Sequence, residues 1–140
     1  MDKTVCMTYF SIRGEFDTSD VSKILGMENT GGHSIGQKKK YGLGTYNWAA
    51  WEFGTDYIET FQADEQAESV IEPLTGKINE LLFIKEKYDC DFILMQVPIV
   101  ENGETPALRF NRKIIEFCVK TGTEIEIDLY ANPYARELEI

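Results

Sequence analysis

The residues best suited to chemistry stand near the end of the chain, in Thr123-Glu124-Ile125-Glu126-Ile127-Asp128-Leu129-Tyr130. Strand side chains alternate, so Glu124, Glu126 and Asp128 share one face while Ile125, Ile127 and Leu129 point to the core. Acids two apart on a strand lie about 6.5–7 Å apart, within the roughly 5–9.5 Å that separates glycosidase carboxylates. Catalysis would also need one carboxyl desolvated, with its proton held more tightly. Strict alternation leaves all three in water instead. The row therefore reads as a recognition surface for a cationic protein. Asp128 and Tyr130 are also placed to close a hydrogen bond at the strand end.

A second set comprises His33, Lys38, Lys39 and Lys40, in a stretch that also holds Gly31, Gly32, Gly36, Gly42 and Gly44 and runs up to Trp48. These cations could grip a small anion or an acidic patch, in a pocket between the loop, Trp48 and a sheet. A P-loop is excluded: it needs lysine and then Ser/Thr directly after its last glycine, following a strand and opening a helix. Here Gly36 is followed by Gln37-Lys38, after a helix and before a strand. A surface loop with solvated lysines is the simpler reading. Tyr46, Trp48, Trp51 and Phe53 could anchor a partner or pack a core. Trp48 and Trp51 fall on opposite strand faces, so at least one stands outside the main core.

Cysteine and histidine content removes several chemistries. Cys6, Cys90 and Cys118 are an odd number, far apart, in apolar surroundings, without a Cys-x-x-Cys pair. They read as buried free thiols rather than a disulfide framework. His33 is the only histidine, so a His/Cys zinc site lacks ordinary ligands. No cofactor or metal is expected, and no residue is assigned a catalytic role. The net charge of −10 disfavours nucleic acid and anionic membranes. It suits a basic partner drawn in by long-range attraction. There is no 18-residue apolar run and no leader-like N-terminus, so a cytoplasmic address is expected.

The positioning elements follow from periodicity. Thr4–Arg13 reads as a strand, with Thr18 or Ser19 capping a short helix that Gly26 stops. Residues 29–44 read as loop, and a strand apolar on both faces follows at 45–53. Val70, Ile71, Leu74, Ile78, Leu81 and Leu82 mark a long helix over 63–88, kinked or split at Pro73 and Gly76. Asp91–Val100 is a buried strand, where Pro98 predicts an edge or bulge. Ala107–Phe110 extends, Asn111 caps a helix stopped by Gly122, and the acidic strand closes the chain. One α+β domain over residues 1–140 results, with a flexible tail at 131–140. It is a two-layer sandwich: a mostly antiparallel sheet of four to six strands, one long and two shorter helices largely on one face. Two strand–helix–strand halves of similar length suggest pseudo-symmetry.

Several of these segments also form a family pattern. Ser22-Lys23-Ile24-Leu25-Gly26 ends the first helix, and a basic glycine loop runs through Gly36 and Lys38 to the Trp48 strand. Gly122-Thr123-Glu124-Ile125-Glu126-Ile127-Asp128-Leu129-Tyr130 closes it. In this the chain resembles the bacterial family known as domain of unknown function 4279, with its "T-x-x-L-G" and "G-x-x-I-x-I-D-x-Y" segments. Ser22 stands where that family has threonine, and Thr30 where a proline is usual. The resemblance spans nearly the whole chain. It implies a small cytoplasmic α+β protein and brings no established chemistry.

Three functional classes are compatible with these residues. The leading one is a non-enzymatic protein-binding domain using Glu124, Glu126 and Asp128, in its specific form an immunity protein neutralising a basic bacterial toxin. The alternative is a small-anion or ligand-binding domain, or an enzyme, using His33, Lys38, Lys39, Lys40 and Trp48. The third is a structural module in which an uncovered strand edge pairs between subunits.

Overall fold

The computed structural model describes residues 3–133, and most of the tail expected to be flexible lies outside them. Its first part is paired, since Asn132 N donates to Val100 O at 2.9 Å. The chain order is β1 (Val5–Gly14), α1 (Thr18–Leu25), β2 (Gly31–His33), β3 (Ala49–Gly54), β4 (Ile58–Glu59), α2 (Ala63–Ile71), a 3-10 stretch (Glu72–Lys77), α3 (Ile78–Tyr88), β5 (Asp91–Val100), α4 (Arg112–Thr121), β6 (Thr123–Ile127) and β7 (Tyr130–Ala131). It is an α+β fold built on one sheet of seven strands in the order β2-β3-β1-β5-β6, with β4 paired to β1 and β7 to β5. Only the pairings of β6 and β7 with β5 are parallel. The α4 crossover makes that parallel pairing possible.

Local signals account for most boundaries. Asn111 accepts from Ile114 N at 3.0 Å, and Gly26 and Gly122 end their helices in the left-handed region. The long helical run is interrupted, as Pro73 and Gly76 predict, by the 3-10 stretch between α2 and α3. The cap of α1 is Asp17 rather than Thr18 or Ser19. Its carboxylate accepts from both the backbone N (3.0 Å) and the hydroxyl (2.9 Å) of Ser19.

Four further expectations need correction. Residues 31–33 form a strand, pairing antiparallel with Ala50–Glu52. Glycine hides it from sequence patterning but permits it, because a Cβ on Gly32 would lie 2.0 Å from Ala50 O. Pro98 sits at neither edge nor bulge but inside β5, opposite the break between β6 and β7, where no strand needs its missing N–H. The segment at 107–110 makes only a single bridge, Ala107 to Gln62. The two halves are not equivalent, since β3 runs antiparallel to β1 and β6 parallel to β5.

One core lies between the sheet and the helices. It contains Phe10, Ile12, Trp51, Phe92 and Leu94 from the strands and Val21, Leu25, Leu81, Ile84, Ile114 and Phe117 from the helices. Trp51 is 0% exposed, with its indole N–H donating to Ser22 Oγ at 2.9 Å. Ile125 packs against this core, but Ile127 and Leu129 remain 43% and 53% exposed, contrary to the pattern. No helix of the described residues is long and apolar enough to cross a membrane.

A polar network is embedded in the same layer. Thr8 Oγ1 donates to Gln66 Oε1 at 2.6 Å, Gln66 Nε2 to Cys6 O at 2.8 Å, and Gln96 Nε2 to Ala63 O at 2.7 Å. Gln66→Ala strands the Thr8 hydroxyl and the Cys6 carbonyl, and should cost about 1–3 kcal/mol in urea unfolding. Ser69→Ala, which removes only a bond to Gln66 O, should stay within about 0.5 kcal/mol of wild type.

Candidate functional site: the uncovered face of the sheet

Alternation sends Val5, Met7, Tyr9, Ser11 and Arg13 of β1 away from the helices. The register then builds that face row by row. One row runs across the strands from Glu52 through Ser11 and Ile93 to Glu124; the next runs from Tyr9 through Met95 to Glu126; in the third Met7 lies beside Val97. Ile93, Met95 and Val97 form a separate apolar cluster with Met7 and Tyr9. All three are buried although no helix crosses them, so neighbouring side chains shelter them.

Acids border this strip on one side. Glu124 and Glu126 stand exposed on β6. Asp128 follows directly, its N–H bonded to Gln96 O at 2.9 Å, and its carboxylate accepts from Tyr130 Oη at 3.1 Å. On the other side Glu52 is half-buried on β3. Desolvation pushes its carboxyl above the usual range, and Arg13 pulls it partly back. A carboxyl so placed takes up a proton more readily than a solvated one. The Tyr9 phenol is also raised, chiefly by burial and then by the charge of Glu52.

The far corner of the face holds the other predicted residues. His33, at the end of β2, stacks on Tyr46 with ring centres 3.4 Å apart, and meets Trp48 edge-on at 4.4 Å. The Arg13 guanidinium lies 5.9 Å from the Trp48 ring. The loop lysines diverge: Lys39 lies over Tyr46, Lys40 over Tyr41, and Lys38 bridges to Thr45. His33 Nδ1 is buried without a hydrogen-bond partner. Burial holds the imidazole below its ordinary value and Arg13 adds to this, while backbone groups of Trp48 and Ser34 act the other way. A groove of about 540 Å³ beside Ser34 is lined by Glu15, Phe16, Asp17, Ser34 and Ile35 rather than by Trp48.

Catalytic thiol chemistry has no support in this geometry. All three cysteines are free and buried, and burial pushes Cys90 and Cys118 up to about 11. Cys90 and Cys118 belong to the helix-side core, and Cys6 points the same way, so the sheet separates them from His33. Among the described residues, no three His, Cys, Asp or Glu side chains are grouped as a metal ion would require.

The family model described as Domain of unknown function (DUF4279) matches residues 4–132. The chain belongs to this family. No curated protein and no solved structure matches it. Thr30, at the position where the sequence resemblance led to an expected proline, has a structural role. Thr30 donates its N–H to Glu52 O at 2.8 Å, and its hydroxyl accepts from Gly54 N at 2.8 Å. Proline could supply neither group.

Sequence reasoning missed Tyr9, Arg13 and Glu52 as members of this DUF4279 surface. The alternation Val5-Met7-Tyr9-Ser11-Arg13 was a usable signal through Ser11 and Arg13, but its first three members are apolar and Thr4 and Thr8 interrupt the other face, which blurs the contrast.

The desolvated imidazole has a signed pH consequence. A histidine depressed in the folded state contributes its full stability above the unfolded value of 6.5 and loses it as pH falls towards the folded value. Glu52, being raised, acts in the opposite sense. His33→Asn removes only the first effect. The melting-temperature advantage of wild type over this variant should therefore shrink from neutral pH to about pH 5. A constant difference across that range would show that the imidazole is not desolvated.

Proposed function

We propose that this chain is a non-enzymatic, protein-binding domain of the bacterial cytoplasm that captures a basic protein on the uncovered sheet face. A basic toxin that it neutralises is the partner class such a surface serves. The observation that carries this reading is the apolar strip of Met7, Tyr9, Ile93, Met95 and Val97, bordered by Glu124, Glu126, Asp128 and Glu52. Apolar contact supplies affinity once a partner docks, and the acids steer and select it. The net charge of −10 extends the same attraction to longer range. Against these acids stand Arg13 at the far corner and, at the opposite end of β1, Lys3, already 3.4 Å from Glu59.

The small-anion alternative draws on Arg13 over Trp48 and the unpartnered His33 Nδ1. One face of the imidazole is already stacked on Tyr46, and the groove beside Ser34 presents Glu15 and Asp17. Subunit pairing through β6 is opposed by like charges, because Glu124 and Glu126 would face their own copies.

The test is capture from the cells that make the chain, followed by purification of the captured protein and measurement of binding in isolation. Glu124→Ser, Glu126→Ser, Asp128→Ser should weaken binding at least tenfold at low salt, on the usual scale for charge pairs at interfaces. The wild-type affinity should fall steeply with salt. Hydrogen exchange should show protection along β1, β5 and β6. Protection confined to the helices or to residues 34–47 would overturn the reading.

A further inference from the structure

The acids on this face are not equivalent. Glu124 and Glu126 rise from β6 beside Ile93 and Met95. Of these acids, Asp128 is the one hydrogen-bonded to a ring hydroxyl. Its carboxylate accepts the Tyr130 hydroxyl at 3.1 Å, and Tyr130 itself pairs with Ile99 one row further along β5. Across the sheet, Tyr57 leads into β4, whose Ile58 pairs with Cys6, so Tyr57 stands beside Met7. Met7 pairs with Val97, and Asp128 follows the residue paired with Gln96. Tyr57 and Asp128 thus face one another across Met7 and Val97, with Tyr9 in the adjacent row.

Electrostatics marks the same convergence independently. All three phenols are harder to ionise than usual, and Asp128 contributes each time. For Tyr130 its hydrogen bond is the leading cause; for Tyr57 and Tyr9 burial leads and its charge adds. One carboxylate is therefore a common neighbour of three neutral rings. Among the described residues it has no ion-pair partner.

We propose that Asp128, walled by Tyr9, Tyr57 and Tyr130 over a floor of Met7 and Val97, receives a single cationic side chain, lysine or arginine, from the basic partner. This rests on the sheet-face reading above and assigns its anchor. Ring faces attract a cation, the carboxylate neutralises it, and the floor takes the aliphatic stem. An anion would meet a carboxylate and three electron-rich rings. A hard metal ion would find one carboxylate where it needs several oxygen ligands. Glu124 and Glu126, further along β6 from Tyr57 and Tyr130, steer the partner rather than hold it.

The test needs no identified partner. The isotope-labelled chain is titrated with Nα-acetyl-lysine methylamide, with its arginine counterpart and with the neutral norleucine analogue, and followed by NMR. Saturable shifts at the Tyr9, Tyr57 and Tyr130 rings and at Asp128 are expected with the two cations and not with norleucine. Asp128→Asn should weaken the cation about tenfold and Tyr57→Leu about threefold to tenfold, whereas Tyr57→Phe should hold near wild type. Equal shifts with norleucine, or a response indifferent to Asp128→Asn, overturns the assignment. The two readings fail separately. If a captured basic protein loses binding on Glu124→Gln, Glu126→Gln yet ignores Asp128→Asn, the anchor falls and the sheet face stands. If neither substitution weakens it, both fall.

Discussion

The bonds that tie Gln66 and Gln96 to Thr8, Cys6 and Ala63 are the constraint on which the rest of this structure depends. They lie under the start of α2, in the layer between helices and sheet. Buried amides are costly unless paired, so α2 sits where Gln66 reaches Thr8 and Cys6 and the Gln96 amide N–H reaches Ala63 O, leaving Gln96 Oε1 as the one amide atom of this pair without a partner. That requirement selects the face of β1 and β5 carrying Thr8 and Gln96 as the covered one. The helices then follow α2 onto the same side, where Trp51 and Phe92 also lie. The opposite face is left without a layer.

An uncovered face on a sheet whose strands are apolar on both sides is a standing cost, offset here by local means. Ile93, Met95 and Val97 are buried, although no helix of the described residues lies over them. The neighbouring side chains Met7 and Tyr9 pack against them. A cover made of side chains can be displaced more readily than a packed helix. The surface thus holds apolar area in reserve while presenting charge to solvent. Acids on β6 also discourage another strand from adding at that edge.

The two ends of this face differ in what they have already satisfied. At one end, His33, Tyr46, Trp48 and Arg13 spend their ring and cation contacts on each other. At the other, Asp128 has one phenol hydrogen bond and no counter-ion among the described residues.

Read alone, the sequence determined what short-range chemistry dictates. Asn111 and Gly122 bound α4, Pro73 and Gly76 split the long helix, and Asp91–Val100 is a strand because nearly every side chain in it is apolar. The exposure of Glu124 and Glu126 was legible too, since period-two alternation needs no knowledge of neighbours. Tertiary structure alone decided the rest. Which face of β1 meets the helices depends on polar partners 58 and 88 residues away. Ile127 and Leu129 looked like core, yet stay exposed because the covering layer stops short of them. The strand at Gly31–His33 carries no side-chain pattern and exists only because β3 lies beside it. Tyr9, Tyr57 and Tyr130 are scattered over the sequence, and only strand pairing brings them to Asp128. Local patterning reports which residues prefer burial or water. Register and layer placement, set by contacts distant in the chain, decide which of them meet.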